Sequence, residues 1–200
     1  MKYSHIFFDW HGVLSKSIYF SHIPESQLIE KHWFTTHKDL LRRWGRGKCT
    51  VNEFIDELSE STGLPKSYLA QKLKESCEAQ AFVSDKIPDL IRKLREKGVV
   101  CIIATDNYDV FDNWTVPALG LDNIFDDTLN SYNLKALKPE IINNNFSPFF
   151  SKYLEEHNVK KSLWLDDNDM SRQAKLLGID FKLVKPPDDL VSIIEDIMLL

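Results

Sequence analysis

Apolar residues in this chain crowd into short, continuous runs. His5-Ile6-Phe7-Phe8-Asp9, Val99-Val100-Cys101-Ile102-Ile103-Ala104-Thr105 and Ser162-Leu163-Trp164-Leu165-Asp166-Asp167 each end on a polar or acidic residue. Unbroken rather than alternating hydrophobicity marks strands buried on both faces, as in a parallel sheet covered by helices. A weaker run covers Asp180-Phe181-Lys182-Leu183-Val184, and Asn123-Ile124-Phe125 is a further short candidate. Helical periodicity fills the gaps. Pro88 to Lys97 sets Leu90, Ile91 and Leu94 on one face before Gly98. Ser171 to Leu177 runs into Gly178, and Pro187 to Leu200 closes the chain as an amphipathic helix. This alternation predicts an α/β doubly wound parallel sheet.

The stretch from about Ser15 to Phe82 has helical periodicity and no credible strand. Thr50-Val51-Asn52-Glu53 reads as a capping box, with the Thr50 hydroxyl and the Glu53 carboxylate each serving the other's backbone N–H. Phe54, Ile55 and Leu58 then share a face, Gly63 and Pro65 break the chain, and Leu69 to Leu73 restart it. A helical module is therefore expected directly after the first strand, at residues 16–83, with 1–15 and 84–200 forming the sheet domain. There is no internal repeat and no low-complexity segment.

Charge and composition narrow the class. With 200 residues, 43% of them hydrophobic, the chain can bury an ordinary globular core. A net charge of −5 gives no global field for nucleic acid or anionic lipid, so neither is an expected partner. No apolar run is long enough to span a bilayer, and the brief apolar stretch before Asp9 is not read as a signal peptide. Cys49, Cys77 and Cys101 form no CxxC pattern and cannot all pair. The expectation is a cytoplasmic protein.

In an open parallel sheet, ligands sit beyond the carboxyl ends of the strands. The residues there are Asp9, Thr105 and the pair Asp166–Asp167. Lys138 joins them from Ala136-Leu137-Lys138-Pro139-Glu140, where the proline suggests the start of a helix. Acid, hydroxyl, lysine and acid pair together describe phosphoryl transfer. A carboxylate can attack phosphorus, a hydroxyl and an ammonium can hold its oxygens, and hard carboxylates can bind a Mg²⁺.

At this point the sequence resembles the haloacid dehalogenase-like (HAD) hydrolases. The resemblance rests on Phe7-Phe8-Asp9-Trp10-His11-Gly12-Val13-Leu14, Ile103-Ala104-Thr105-Asp106-Asn107, Lys138-Pro139-Glu140 and Leu165-Asp166-Asp167-Asn168, in that order along nearly the whole chain. The helical module resembles the family's small α-helical cap. Gly45-Arg46-Gly47-Lys48 is similar to the cap of sugar-phosphate phosphatases related to glucose-1-phosphatase and to the phosphatase domain of soluble epoxide hydrolase. The resemblance implies that Asp9 is the nucleophile and a Mg²⁺ ligand. It implies that Thr105 and Lys138 hold the phosphoryl group, with Asp106 alongside, and that Asp167, supported by Asp166, completes the metal site. The backbone carbonyl of His11 would be another ligand. The family's usual second Asp, the acid that protonates the leaving group, is replaced by His11, which would take the proton-transfer role. Further departures are Asp106 where Asn is common, Ser171 where Asp or Asn is expected, and Lys135 where Gly usually precedes the Lys-Pro motif.

The leading expectation is Mg²⁺-dependent hydrolysis of a small phosphorylated metabolite, a sugar phosphate among the candidates, through an aspartyl-phosphate. A phosphonatase-like enzyme using Lys48 as an imine-forming amine and a dehalogenase-like enzyme are the alternatives within the fold. A catalytically impaired protein that binds a phosphorylated ligand is the alternative outside catalysis. His32, Trp33, His37, Arg42, Arg43, Trp44 and Arg46 either line a specificity surface over an anionic substrate or form the solvated basic face of a cap helix.

Overall fold

A computed structural model describes residues 1–33, 38–185 and 189–199. Five strands form one sheet: β1 (His5–Phe8), β2 (Val100–Thr105), β3 (Asp127–Asn130), β4 (Ser162–Asp166) and β5 (Asp180–Leu183). Their order is β3-β2-β1-β4-β5, and every neighbouring pair is parallel. The register sets Phe8 opposite both Ile103 and Leu165. Asp9, Thr105 and Asp166 thus emerge together at the carboxyl ends of their strands.

The continuous hydrophobic runs hide a period of two. Ile6, Phe8, Cys101, Ile103, Leu163 and Leu165 pack on one face, while Phe7, Ile102, Ala104 and Trp164 pack on the other. The first face is covered by α5 (Ile87–Glu96) and by the C-terminal helix α11 (Leu190–Leu199). The second is covered by α9 (Ser151–Glu156) and α10 (Ser171–Leu177), through Tyr153 and Ala174. This is the doubly wound arrangement the sequence predicts. Ser171–Leu177 is helical over the expected span, whereas the expected start of α11 at Pro187 and its end at Leu200 lie outside the described residues.

Between β1 and α5 stand α1 (Ser26–Lys31), α2 (Lys38–Gly45), α3 (Val51–Thr62) and α4 (Lys66–Glu78). They bury a hydrophobic cluster of their own, with Phe20, Trp33, Trp44, Phe54, Leu58, Leu69 and Leu73 among its members. The capping box at α3 is formed: the Glu53 amide donates to Thr50 Oγ1 at 3.3 Å, and the Thr50 amide donates to Glu53 Oε2 at 2.7 Å. No helix among the described residues is long and apolar enough to cross a membrane.

Two sequence expectations are corrected. Asn123–Phe125 is not a strand: α6 (Val116–Leu119) is followed by α7 (Leu121–Ile124), and Phe125 turns in to meet Phe8 at 6.0 Å. The strand at that edge is β3, whose sequence Asp-Thr-Leu-Asn carries one apolar residue, Leu129, and is too polar to signal itself. Lys138 does not start a helix. After α8 (Ser131–Leu134), Lys138 and Pro139 form a turn, and the next regular helix is α9.

Candidate active site

The ends of β1, β2 and β4 and the Lys138 turn bring the candidate residues to one point. Lys138 is 3% exposed, and its Nζ lies 2.8 Å from Asp9 Oδ1 and 2.6 Å from Asp166 Oδ2. Asp166 is fully buried and uses both oxygens: Oδ2 also accepts from Trp164 Nε1 at 3.1 Å, and Oδ1 accepts from the Asn168 amide at 2.9 Å. A buried carboxylate is tolerated when it is satisfied in this way. Asp167 is half-buried and accepts from Asn168 Nδ2 at 2.7 Å. One carboxylate oxygen from each of Asp9, Asp166 and Asp167 lies within 4.8 Å of the others.

The loop after β1 is shaped for this meeting. Asp9 Oδ1 accepts from the Trp10 amide at 2.8 Å, and the backbone carbonyls of Asp9 and Trp10 accept from Leu14 and Ser15. Gly12 has φ +82°, and a Cβ there would lie 2.2 Å from Asp167 Oδ2. Only glycine permits both the left-handed turn and the close approach of that carboxylate.

Burial and mutual repulsion shift the acids. Desolvation pushes Asp9 well above the ordinary carboxylate range, Lys138 pulls it back down, and Asp166 pushes it up again. Burial also raises Asp106 and Asp167. Lys138 is raised despite its own burial, because Asp9, Asp166 and Asp106 stabilise its charge. The carboxylates outnumber the one ammonium buried among them, so the cluster favours a further cation.

Thr105 Oγ1 is buried and has no hydrogen-bond partner among the described residues. Asp106, expected alongside the phosphoryl group, lines the cavity, and its Oδ1 accepts from the Lys138 backbone amide at 2.8 Å. His11 stands beside the cluster, and burial lowers its imidazole to about 4, a hydrogen bond with the Ser17 backbone offsetting part of the effect. The ring is neutral near pH 7, and its Nε2 has no partner among the described residues.

A cavity of about 530 Å³ opens near these strand ends. His11, Gly12, Asp106 and Asn107, the sequence neighbours of Asp9 and Thr105, line it. Tyr19, Trp33 and Tyr108 line it too, with the Tyr19 ring 5.2 Å from that of His11. The basic cluster expected over the site divides. Trp33 and Trp44 go into the core of the helices, Arg42 and Arg43 face solvent, and Arg46 pairs with Glu140 at 2.7 Å. His37 lies outside the described residues. Lys48 is exposed and does not line the cavity. All three cysteines are buried free thiols, and burial raises each of them.

The family follows from the comparison that covers this whole arrangement. The sequence model of the haloacid dehalogenase-like hydrolases matches residues 3–163. The chain belongs to that family. Solved HAD structures share the fold at low identity. A HAD family enzyme from Bacteroides thetaiotaomicron has a TM-score of 0.72 at 23% identity, over 96% of this chain and 98% of that one. That enzyme was also solved in complex with magnesium and inorganic phosphate, at a TM-score of 0.69 and 21% identity, with the same coverage of both chains. A predicted HAD-like family hydrolase from Porphyromonas gingivalis gives 0.71 at 20% identity, over 99% and 98% of the two chains. The L-2-haloacid dehalogenase of Xanthobacter autotrophicus gives 0.64 at 14% identity, over 91% of this chain and 77% of that one. A comparison with curated proteins gives no match. An enzyme solved with magnesium and phosphate and a dehalogenase thus share this HAD fold, and the side chains must decide the chemistry.

Residues that the sequence alone did not single out are Trp164, whose indole serves Asp166, and Tyr19, Asn107 and Tyr108 in the cavity wall. Asn107 closes the second motif, where it was given no role, and Tyr108 merely follows it. Tyr19 had no signal in the sequence.

Proposed function

We propose that this HAD hydrolase is a Mg²⁺-dependent phosphatase acting on small organic phosphates through an aspartyl-phosphate at Asp9. The observation that carries this reading is the convergence of three carboxylates within 4.8 Å beside the buried ammonium of Lys138. A carboxylate nucleophile alone needs no second and third acid. Concentrated negative charge where an anionic substrate must enter requires a cation, and an all-oxygen donor set suits Mg²⁺.

Asp9, Asp167 and the His11 carbonyl would hold the ion, with Asp166 supporting it through its fixed hydrogen bonds. When bound, Mg²⁺ neutralises charge on the phosphoryl oxygens and keeps the Asp9 carboxylate ionised. The remaining Asp9 oxygen attacks phosphorus, the P–O bond to the leaving group breaks, and the leaving oxygen takes a proton from solvent water. Water then attacks phosphorus, releases phosphate and regenerates the Asp9 carboxylate. Lys138 and the unpartnered Thr105 hydroxyl supply donors for the phosphoryl oxygens. The helices α1–α4 act as a cap over the site, tied to the sheet domain by the Arg46–Glu140 pair and by Trp44 Nε1 donating to Asp109 at 2.7 Å.

The test is phosphate release from acetyl phosphate, whose leaving group needs no acid. Release with Mg²⁺, its loss in EDTA and its loss in Asp9→Asn are the expected results. Undiminished turnover in metal-free buffer rules the reading out.

A further inference from the structure

Part of the cavity wall, next to His11, is built from rings. Tyr19 and Trp33 lie nearly parallel, at 24° with centroids 5.9 Å apart, and Tyr108 stands across Trp33 at 62° and 6.2 Å. Together they make a corner with an aromatic floor and an aromatic wall. Tyr108 is backed by a rigid stack, with Trp44 at 4.1 Å and 16° and Phe54 behind Trp44 at 4.4 Å and 23°. Ile18, 61% exposed, adds a large apolar side chain to the same cavity. Such walls recognise a flat apolar group by stacking and edge contacts.

Several polar side chains of the lining bond within the protein, while Lys16 and Glu30 stand exposed at its rim. Ser15 Oγ accepts from the Ser17 amide at 3.1 Å, Ser17 Oγ accepts from the Ala81 amide at 3.1 Å, and the Tyr19 hydroxyl donates to Asn107 Oδ1 at 2.9 Å. Asn107, like His11, keeps one buried side-chain atom unpartnered among the described residues. It is fully buried, and its Oδ1 is held by Tyr19 and by the Tyr108 amide at 3.0 Å, which fixes the orientation of the side chain. Its Nδ2 has no partner among the described residues. A buried donor without a protein partner in the cavity lining can serve a substrate oxygen.

Resting on the phosphatase reading above, we propose that the substrates are phosphate esters of alcohols that carry a flat aromatic group. The ring lies against Tyr19, Trp33 and Tyr108, and the Asn107 amide donates to an oxygen of the ester. This is a different chemical class from the sugar phosphates among the candidates that the sequence offers.

The test uses leaving groups of one kind, so that chemistry does not mask recognition: ethyl phosphate, 2-(2-naphthyl)ethyl phosphate and glucose 6-phosphate are all esters of primary alcohols, and acetyl phosphate is the control. With Mg²⁺, kcat/KM for the naphthylethyl ester should exceed that for ethyl phosphate by at least about tenfold, mostly through KM, and glucose 6-phosphate should gain nothing. Tyr19→Leu should pull the naphthylethyl-to-ethyl ratio toward one. Ile18→Asp, at an exposed position that the fold tolerates, should do the same. Hydrolysis of acetyl phosphate with equal rates on the naphthylethyl and ethyl esters, or a preference for glucose 6-phosphate, overturns the aromatic proposal and leaves the phosphatase reading standing. No Mg²⁺-dependent hydrolysis of any of the four overturns both.

Discussion

Asp106 Oδ1 accepts the backbone N–H of Lys138 at 2.8 Å, across 32 residues of sequence. A carboxylate that looks like a misplaced negative charge beside a phosphate site is thus an anchor. It holds the turn from which Lys138 reaches Asp9 and Asp166. Asn offers the same acceptor, so Asp106→Asn should keep the turn, whereas Asp106→Ala should cost about 1–3 kcal/mol. Urea unfolding of the two variants checks this; equal losses would mean that the charge, not the hydrogen bond, matters.

The metal should stabilise the fold more as pH rises. Asp9, Asp106 and Asp167 are all raised by burial, so the metal-free folded state holds protons that the unfolded chain has released. The metal-free protein therefore loses stability as pH climbs above the ordinary carboxylate range. Mg²⁺ favours the ionised acids, so its increment in Tm should be larger at pH 8 than at pH 5. An increment that does not change with pH would place the ion elsewhere.

Gly12→Ala should damage the site out of proportion to its size. The added methyl would lie 2.2 Å from Asp167 Oδ2, at a φ of +82° that L-residues avoid. Displacing Asp167 should weaken Mg²⁺ activation, read as a raised Mg²⁺ concentration for half-maximal turnover. Unchanged Mg²⁺ activation would remove Asp167 from the metal site.

Much of this was legible in the sequence. Strands β1, β2 and β4 announce themselves because both of their faces are buried, and each delivers its polar terminal residue to the site. Edge strand β3 does not, since Leu129 alone needs burial there. The cavity wall was hidden for another reason. Tyr19 and Asn107 are 88 residues apart, and their hydrogen bond exists only once the helices pack against the loop after β2. Likewise Trp33 and Trp44 sit among basic residues in sequence, but the fold turns their rings inward.

His11 carries the clearest chemical departure from the family. With its pKa lowered to about 4 by burial, the ring is neutral near pH 7 and is a weak proton donor. His11→Asp places a carboxylic acid beside the leaving group, so hydrolysis of alkyl phosphates should rise relative to acetyl phosphate, by up to about 10². A fall in that ratio would show that the wild-type imidazole already serves as the acid.

Chemical trapping at Asp9 tests the central claim most directly. Borohydride added during turnover of acetyl phosphate with Mg²⁺ reduces an aspartyl-phosphate to homoserine, which mass spectrometry locates in the peptide. The account predicts homoserine at position 9, only when substrate and Mg²⁺ are both present. Steady turnover with residue 9 recovered as unmodified aspartate, or with the modification at another carboxylate, would contradict it.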